Sequence, residues 1–231
     1  MKSTVLVKST VLAAIVAMAA LSPVPASAST GHTGVSDGDP VYVKSMEEAI
    51  LGLSSSKSAN DYLRVINQFE RISSVNPQDW LSVYWATYAY TLASYAFTDA
   101  TTKDQYLEKA EQLAKKLNVL KPNNDEVVVL EAFLAQSRMS VDPQNRFMTY
   151  GAKFNELIAK ARKMNPDNPR IYNLQGRSLY YTPENFGGGK TTACPVIAMA
   201  VEKYNQFKPE SSIHPSWGRD YTENLSQECK K

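Results

Sequence analysis

The chain has 231 residues, 43% hydrophobic and 21% charged, with a formal net charge of +2 at neutral pH. That is enough apolar material for one domain with a buried core. No run of Lys or Arg builds the basic face that an electrostatic grip on nucleic acid needs, so no nucleic-acid partner is expected.

Residues 1–28 read as a signal peptide. Lys2 and Lys8 precede an apolar run from Val11 to Leu21, which is too short to span a bilayer and stops at Ser22 and Pro23. Ala26-Ser27-Ala28 is the small-residue pattern that a signal peptidase cuts. Cleavage removes two of the 25 Lys+Arg and none of the 23 Asp+Glu, which leaves the mature chain close to neutral. The mature chain is expected to be periplasmic or secreted and to have no membrane span. Residues 29–39, rich in Ser, Thr, Gly and Asp, read as a flexible leader.

From Pro40 onward apolar residues recur at helical spacing, with no sustained alternation. Four helical runs end near a proline: Pro77, Pro122, Pro166 and Pro209. Apolar residues stand twelve, eight, five and two positions before each, as in Val65, Phe69, Ile72 and Val75, or Phe154, Ile158, Ala161 and Met164. These offsets share one helix face, and the proline ends the helix because it has no N–H and clashes with the preceding turn. Ten residues beyond the first three prolines stand the small residues Thr87, Ala132 and Gly176, which allow close helix approach. Each unit therefore reads as a helix pair closed by a proline turn.

This pattern resembles the tetratricopeptide-repeat (TPR) family, through Ala110, Ala114, Leu117 and Pro122, and through Phe154, Ile158, Ala161 and Pro166 with Gly176 beyond. The last unit looks like that of exported bacterial TPR-like proteins. The resemblance implies an all-α, TPR-like α-solenoid over residues 40–231, with about four helix pairs and a C-terminal capping helix. The prolines are 45, 44 and 43 residues apart, against about 34 in a TPR unit. The extra residues are expected between the two helices of each pair.

The stretch Phe186–Cys194, "FGGGKTTAC", ends like a phosphate-binding loop, but Glu184 stands where that motif needs glycine and no strand precedes it. It reads as the turn of the last helix pair, with Phe186 plugging the hairpin, Thr191 or Thr192 capping the next helix and Pro195 in its first turn. The final helix is expected to begin at Ser216 or Trp217. Cys194 and Cys229 are the only cysteines, and in an oxidising compartment they are expected to form a disulfide.

No catalytic constellation stands out. His32 and His214 have no partners at metal-ligand spacing, no nucleophile elbow appears, and the carboxylates fall on helix faces. A non-enzyme is expected, with no metal and no cofactor. Aromatic residues crowd Trp80–Phe97, and their hydroxyls need partners or a wet groove. By the TPR resemblance, the concave side carries Leu81, Tyr84, Tyr88 and Thr91, then Glu126, Val129, Phe133 and Gln136, then Arg170, Asn173, Arg177 and Tyr180. Tyr84, Tyr88, Arg170, Asn173, Arg177 and Tyr180 are the candidate binding residues, with the arginines suited to an anion. The same arginines can instead pair with Glu126 or Glu131.

The leading functional reading is a protein-interaction scaffold that binds a protein or peptide segment in a concave groove. The alternative is a small-molecule carrier or transport accessory protein with an aromatic-lined pocket. N-terminal sequencing of exported protein is expected to begin at or near Ser29; retention of Met1 would contradict the signal-peptide reading.

Overall fold

The computed structural model describes residues 39–231. The expected signal peptide and all but the last residue of the leader lie outside them. All regular structure among the described residues is helical. The helices are α1 (Pro40–Ser55), α2 (Ala59–Val75), α3 (Trp80–Ala93), α4 (Ala100–Leu120) and α5 (Asp125–Val141). After the short α6 (Pro143–Arg146) come α7 (Ala152–Met164), α8 (Pro169–Tyr181), α9 (Lys190–Gln206) and α10 (Arg219–Glu228). They pack in chain order, α1 on α2, α3 on α4, α5 on α7 and α8 on α9, while α10 lies on α8 and α9. The connections after α3, α5 and α8 hold the residues that lengthen each unit.

The proline turns do two jobs. Helices α2, α4 and α7 stop just before Pro77, Pro122 and Pro166. Two residues beyond each proline a short polar side chain caps the next helix. Asp79 accepts from the amides of Leu81 and Ser82 at 3.1 and 2.9 Å. Asn124 accepts from Val127 at 3.2 Å, and Asn168 from Arg170 at 3.0 Å. The fourth unit departs from this rule. No helix follows Pro209 until Arg219, rather than the expected Ser216 or Trp217, and Gly218 turns the chain into α10 at φ 100°. Residues 207–218 run as an irregular segment instead.

The apolar stripe is buried at most of its positions. Phe69, Ala110, Leu117, Ala161 and Tyr204 are shielded from solvent. Its last position is not: Val75 is 70% exposed and Met164 36%, because it falls at the helix end, beyond the neighbouring helix. The small residues are closely packed. A Cβ on Gly176 would stand 2.8 Å from Cγ1 of Ile197 in α9.

The glycine stretch is a turn between α8 and α9. Gly187 and Gly189 take φ of 83° and 87°, in the left-handed region that glycine tolerates best. Three details differ from the sequence reading. Phe186 is 72% exposed and plugs nothing. Helix α9 begins at Lys190 without a side-chain cap, so Thr191 and Thr192 lie inside it. Pro195 consequently falls in its second turn. Cys194 and Cys229 are bonded, tying α9 to the end of α10. Closing this loop contributes roughly 3–4 kcal/mol in the chain-entropy account.

Ala110 and Ala161 are fully buried at helix contacts. Ala110→Leu and Ala161→Leu are each expected to destabilise by about 1–3 kcal/mol through overpacking, measured by urea unfolding; neutral effects at both would contradict these contacts.

Candidate functional site

The faces of α3, α5 and α8 that the sequence reading assigned to an open groove are largely covered by the chain itself. Leu81, Tyr84, Thr91, Val129, Gln136 and Arg170 are all buried. Segment 207–218 supplies much of the cover. Its buried Ile213 accepts a hydrogen bond from the indole of Trp85 at 2.7 Å through its backbone carbonyl. Trp217 stacks on Tyr88, with ring centroids 4.8 Å apart and planes inclined by 19°. The Trp217 indole also donates to the Tyr84 hydroxyl at 2.8 Å.

The placement of Trp217 is enforced from both sides. Its carbonyl accepts from the Tyr204 hydroxyl at 2.9 Å. The next residue, Gly218, has no room for a Cβ, which would collide with that same hydroxyl. The amide of Asn173 donates to the Gly218 carbonyl at 3.2 Å and to Thr222 at 2.6 Å. Helix α10 then begins, and the disulfide fixes its far end.

Behind Tyr84 lies a buried ion pair. Arg170 donates through Nε to Glu126 at 2.8 Å and through Nη2 to the other carboxylate oxygen. Asn168 donates to the same carboxylate at 2.7 Å. Burial pushes the Glu126 carboxyl above its usual range, against the pull of Arg170. Burial works to neutralise Arg170 too, but attraction to Glu126 outweighs it and holds the guanidinium firmly charged. The guanidinium also lies 4.5 Å from the centre of the Phe207 ring. Arg170 is therefore a bolt between α5, α8 and the inserted segment, with no exposed surface for a ligand.

Beside the inserted segment a cleft of about 390 Å³ remains. Trp85, Tyr88, Phe133, Trp217 and Tyr221 supply its aromatic walls, Leu53 and Tyr62 line it from α1 and α2, and Asn173 and Arg177 line it from α8. The rings interlock: Trp85 meets Tyr88 edge-on at 5.8 Å, and Phe133 lies 5.7 Å from Trp217. None of the lining residues is His, Cys or Met. Burial raises the hydroxyl pKa of Tyr88, Tyr62 and Tyr221 above the ordinary tyrosine value, so these groups are neutral donors at physiological pH. A wider hollow of about 510 Å³ on α2, lined by Arg64, Asn67, Glu70, Arg71 and Ser74, has a single helix for its walls and only polar or charged residues along it.

Of the six candidate residues, Tyr88, Asn173 and Arg177 line the cleft. Tyr84 and Arg170 are fully buried behind it. Tyr180 packs against Ala193, Ile197 and Leu225 of α9 and α10 and does not line the cleft. His214 binds Ser211 and Glu210 beside Trp80 rather than in the cleft, and His32 lies outside the described residues. No cluster among the described residues has the ligands for a metal ion. The sequence reading missed Trp85, Trp217 and Tyr221. Trp85 and Tyr221 sit in ordinary helical patterns, and Trp217 stands where the sequence predicts the start of a helix. The one signal for Trp217 was the broken repeat after Pro209.

Among the described residues, fold and site define an all-helical array in which segment 207–218 fills much of a groove and leaves an aromatic cleft. No family model matches the chain, and no curated protein matches it. Among solved structures it is similar to the HusA haemophore from Porphyromonas gingivalis, with 32% identity, a TM-score of 0.73, and coverage of 85% of this chain and 96% of that one. At that identity and coverage the chain belongs to one family with that protein.

Arg170→Met is expected to cost about 3–5 kcal/mol, because it strands Glu126 in a buried site. Thermal unfolding measures it; a loss below about 1 kcal/mol, the worth of an exposed pair, would place Arg170 at the surface.

Proposed function

We propose that the protein is an exported, non-catalytic carrier of a flat, largely apolar aromatic small molecule, with haem as the first candidate. The observation that carries this reading is the cleft. Its walls are rings, its size lies within the range of small-molecule sites, and stacking is the favourable geometry that such walls offer. The haemophore similarity supports the same reading. The protein-interaction scaffold is set aside because segment 207–218 covers the surface on which a partner segment would lie. Consecutive helix pairing supports reading the fold as a TPR-like array of four pairs capped by α10. The disulfide supports export to an oxidising compartment, and no helix among the described residues is long and apolar enough to cross a membrane.

The chemistry of the walls sets how a tetrapyrrole would be held. Imidazole, thiolate and thioether ligands are missing from the lining. The tyrosine hydroxyls resist ionisation, which makes them poor iron ligands as they stand. Grip therefore comes from the macrocycle face against Tyr88 and Trp217, two half-buried rings of the lining, rather than from the iron.

Titration of the mature protein with haem and with metal-free protoporphyrin IX tests this through tryptophan fluorescence, since Trp85 and Trp217 border the cleft. Both are expected to quench it, with affinities within a few-fold of each other. Trp217→Ala is expected to weaken both about tenfold, a stacking contribution of about 1.4 kcal/mol. Failure of both tetrapyrroles to bind would sink the carrier reading; binding of haem alone would sink its iron-independent form.

A further inference from the structure

We infer that Arg177 makes the cleft selective for ligands that carry a carboxylate at the edge of the aromatic body. The inference rests on the carrier reading above and adds the class of ligand.

Arg177 projects from α8 into the cleft wall. Its guanidinium lies 5.1 Å from the centre of the Tyr221 ring and 5.5 Å from those of Tyr95 and Phe133. Three rings around one cation hold it by cation–π attraction. That attraction engages the charge without using the N–H donors as a carboxylate would. A guanidinium presents five such donors in a planar fork that matches a carboxylate.

The other arginines that are not fully exposed all have oxygen partners. Arg138 binds Glu111 and Asp104, Arg146 binds Asp104, Arg162 binds Gln175, Arg170 binds Glu126, and Arg219 binds the Tyr204 carbonyl. Arg177 has neither an ion pair nor a hydrogen bond among the described residues. It is half-buried among apolar rings, where a charge-assisted hydrogen bond gains strength from the low local dielectric. The cleft thus offers a flat apolar slot with one fixed, unpaired cation on its wall.

The nearby charges set direction as well as preference. Asp220 also lines the cleft, and no ion pair joins it to Arg177. An acidic ligand is therefore repelled at the Asp220 rim and attracted at Arg177. Arg219, the other cation of the lining, is committed to Tyr204 and lies 3.6 Å from Glu223. One acid group of the ligand is held at Arg177, with the aromatic body on Tyr88 and Trp217.

The test compares protoporphyrin IX with its dimethyl ester, which keeps the ring and removes both acids. On the unaltered mature protein the diacid is expected to bind at least tenfold tighter than the ester. Arg177→Gln is expected to remove that preference and leave ester affinity within about twofold, with the melting temperature lowered by only a few degrees, because the cation–π contacts are lost but no ion pair is. Arg177→Lys is expected to keep part of the preference, since it retains the charge without the fork. Equal binding of diacid and ester by the unaltered protein overturns the inference and leaves the carrier reading standing. Persistence of the preference in Arg177→Gln overturns it as well. Failure of both probes to bind overturns the carrier reading and the inference together.

Discussion

The stacking of Trp217 on Tyr88 organises the site end of this molecule. One ring comes from α3 and the other from a segment more than a hundred residues later in the chain, so their contact closes the helix array on itself. The indole N–H is satisfied by Tyr84, which lets a large polar-edged ring be partly buried without an orphan donor. Once Trp217 is seated, Gly218 must turn sharply, Asn173 holds the turn, and α10 can reach back to the disulfide. The wall of the cleft and the cap of the fold are thus consequences of one placement.

Burying Glu126 and Arg170 in that neighbourhood is a costly choice. Two charges leave water, and their attraction offsets this only where hydrogen bonds complete the geometry. Here Asn168 and two donors of the Arg170 fork bind the Glu126 carboxylate, while Nη1 of Arg170 has no hydrogen-bond partner among the described residues and the guanidinium lies over the Phe207 ring. The pair joins α5 to α8 directly behind the aromatic floor, where an apolar pair would fix orientation less well. The same helix places Arg177 in the cleft with no acid opposite. α8 therefore carries one arginine that is spent on architecture and one that is left available.

The covered groove also separates two uses of a helix array. An open concave surface presents a long strip, suited to an extended partner. Filling that strip from within leaves only a short, walled recess, and its walls are rings. The size and chemistry of that recess favour a compact aromatic ligand over a chain.

Much of the fold was legible locally. Pro77, Pro122 and Pro166 stop the helices before them, because a missing N–H and a steric clash act within one turn. The Asp or Asn two residues later caps the next helix by the same short-range logic. The glycine turn and the cysteine pair were equally readable, since backbone angles and redox compartment depend little on distant residues. The site was legible only in part. Arg170 and Arg177 lie on one face of α8, two turns apart, and the sequence treats them alike. Their fates diverge because Glu126 of α5 stands opposite one and Tyr95, Phe133 and Tyr221 surround the other. Which residues of distant segments meet a given face is decided by how the whole array closes, and that closure depended on where the irregular segment 207–218 came to rest.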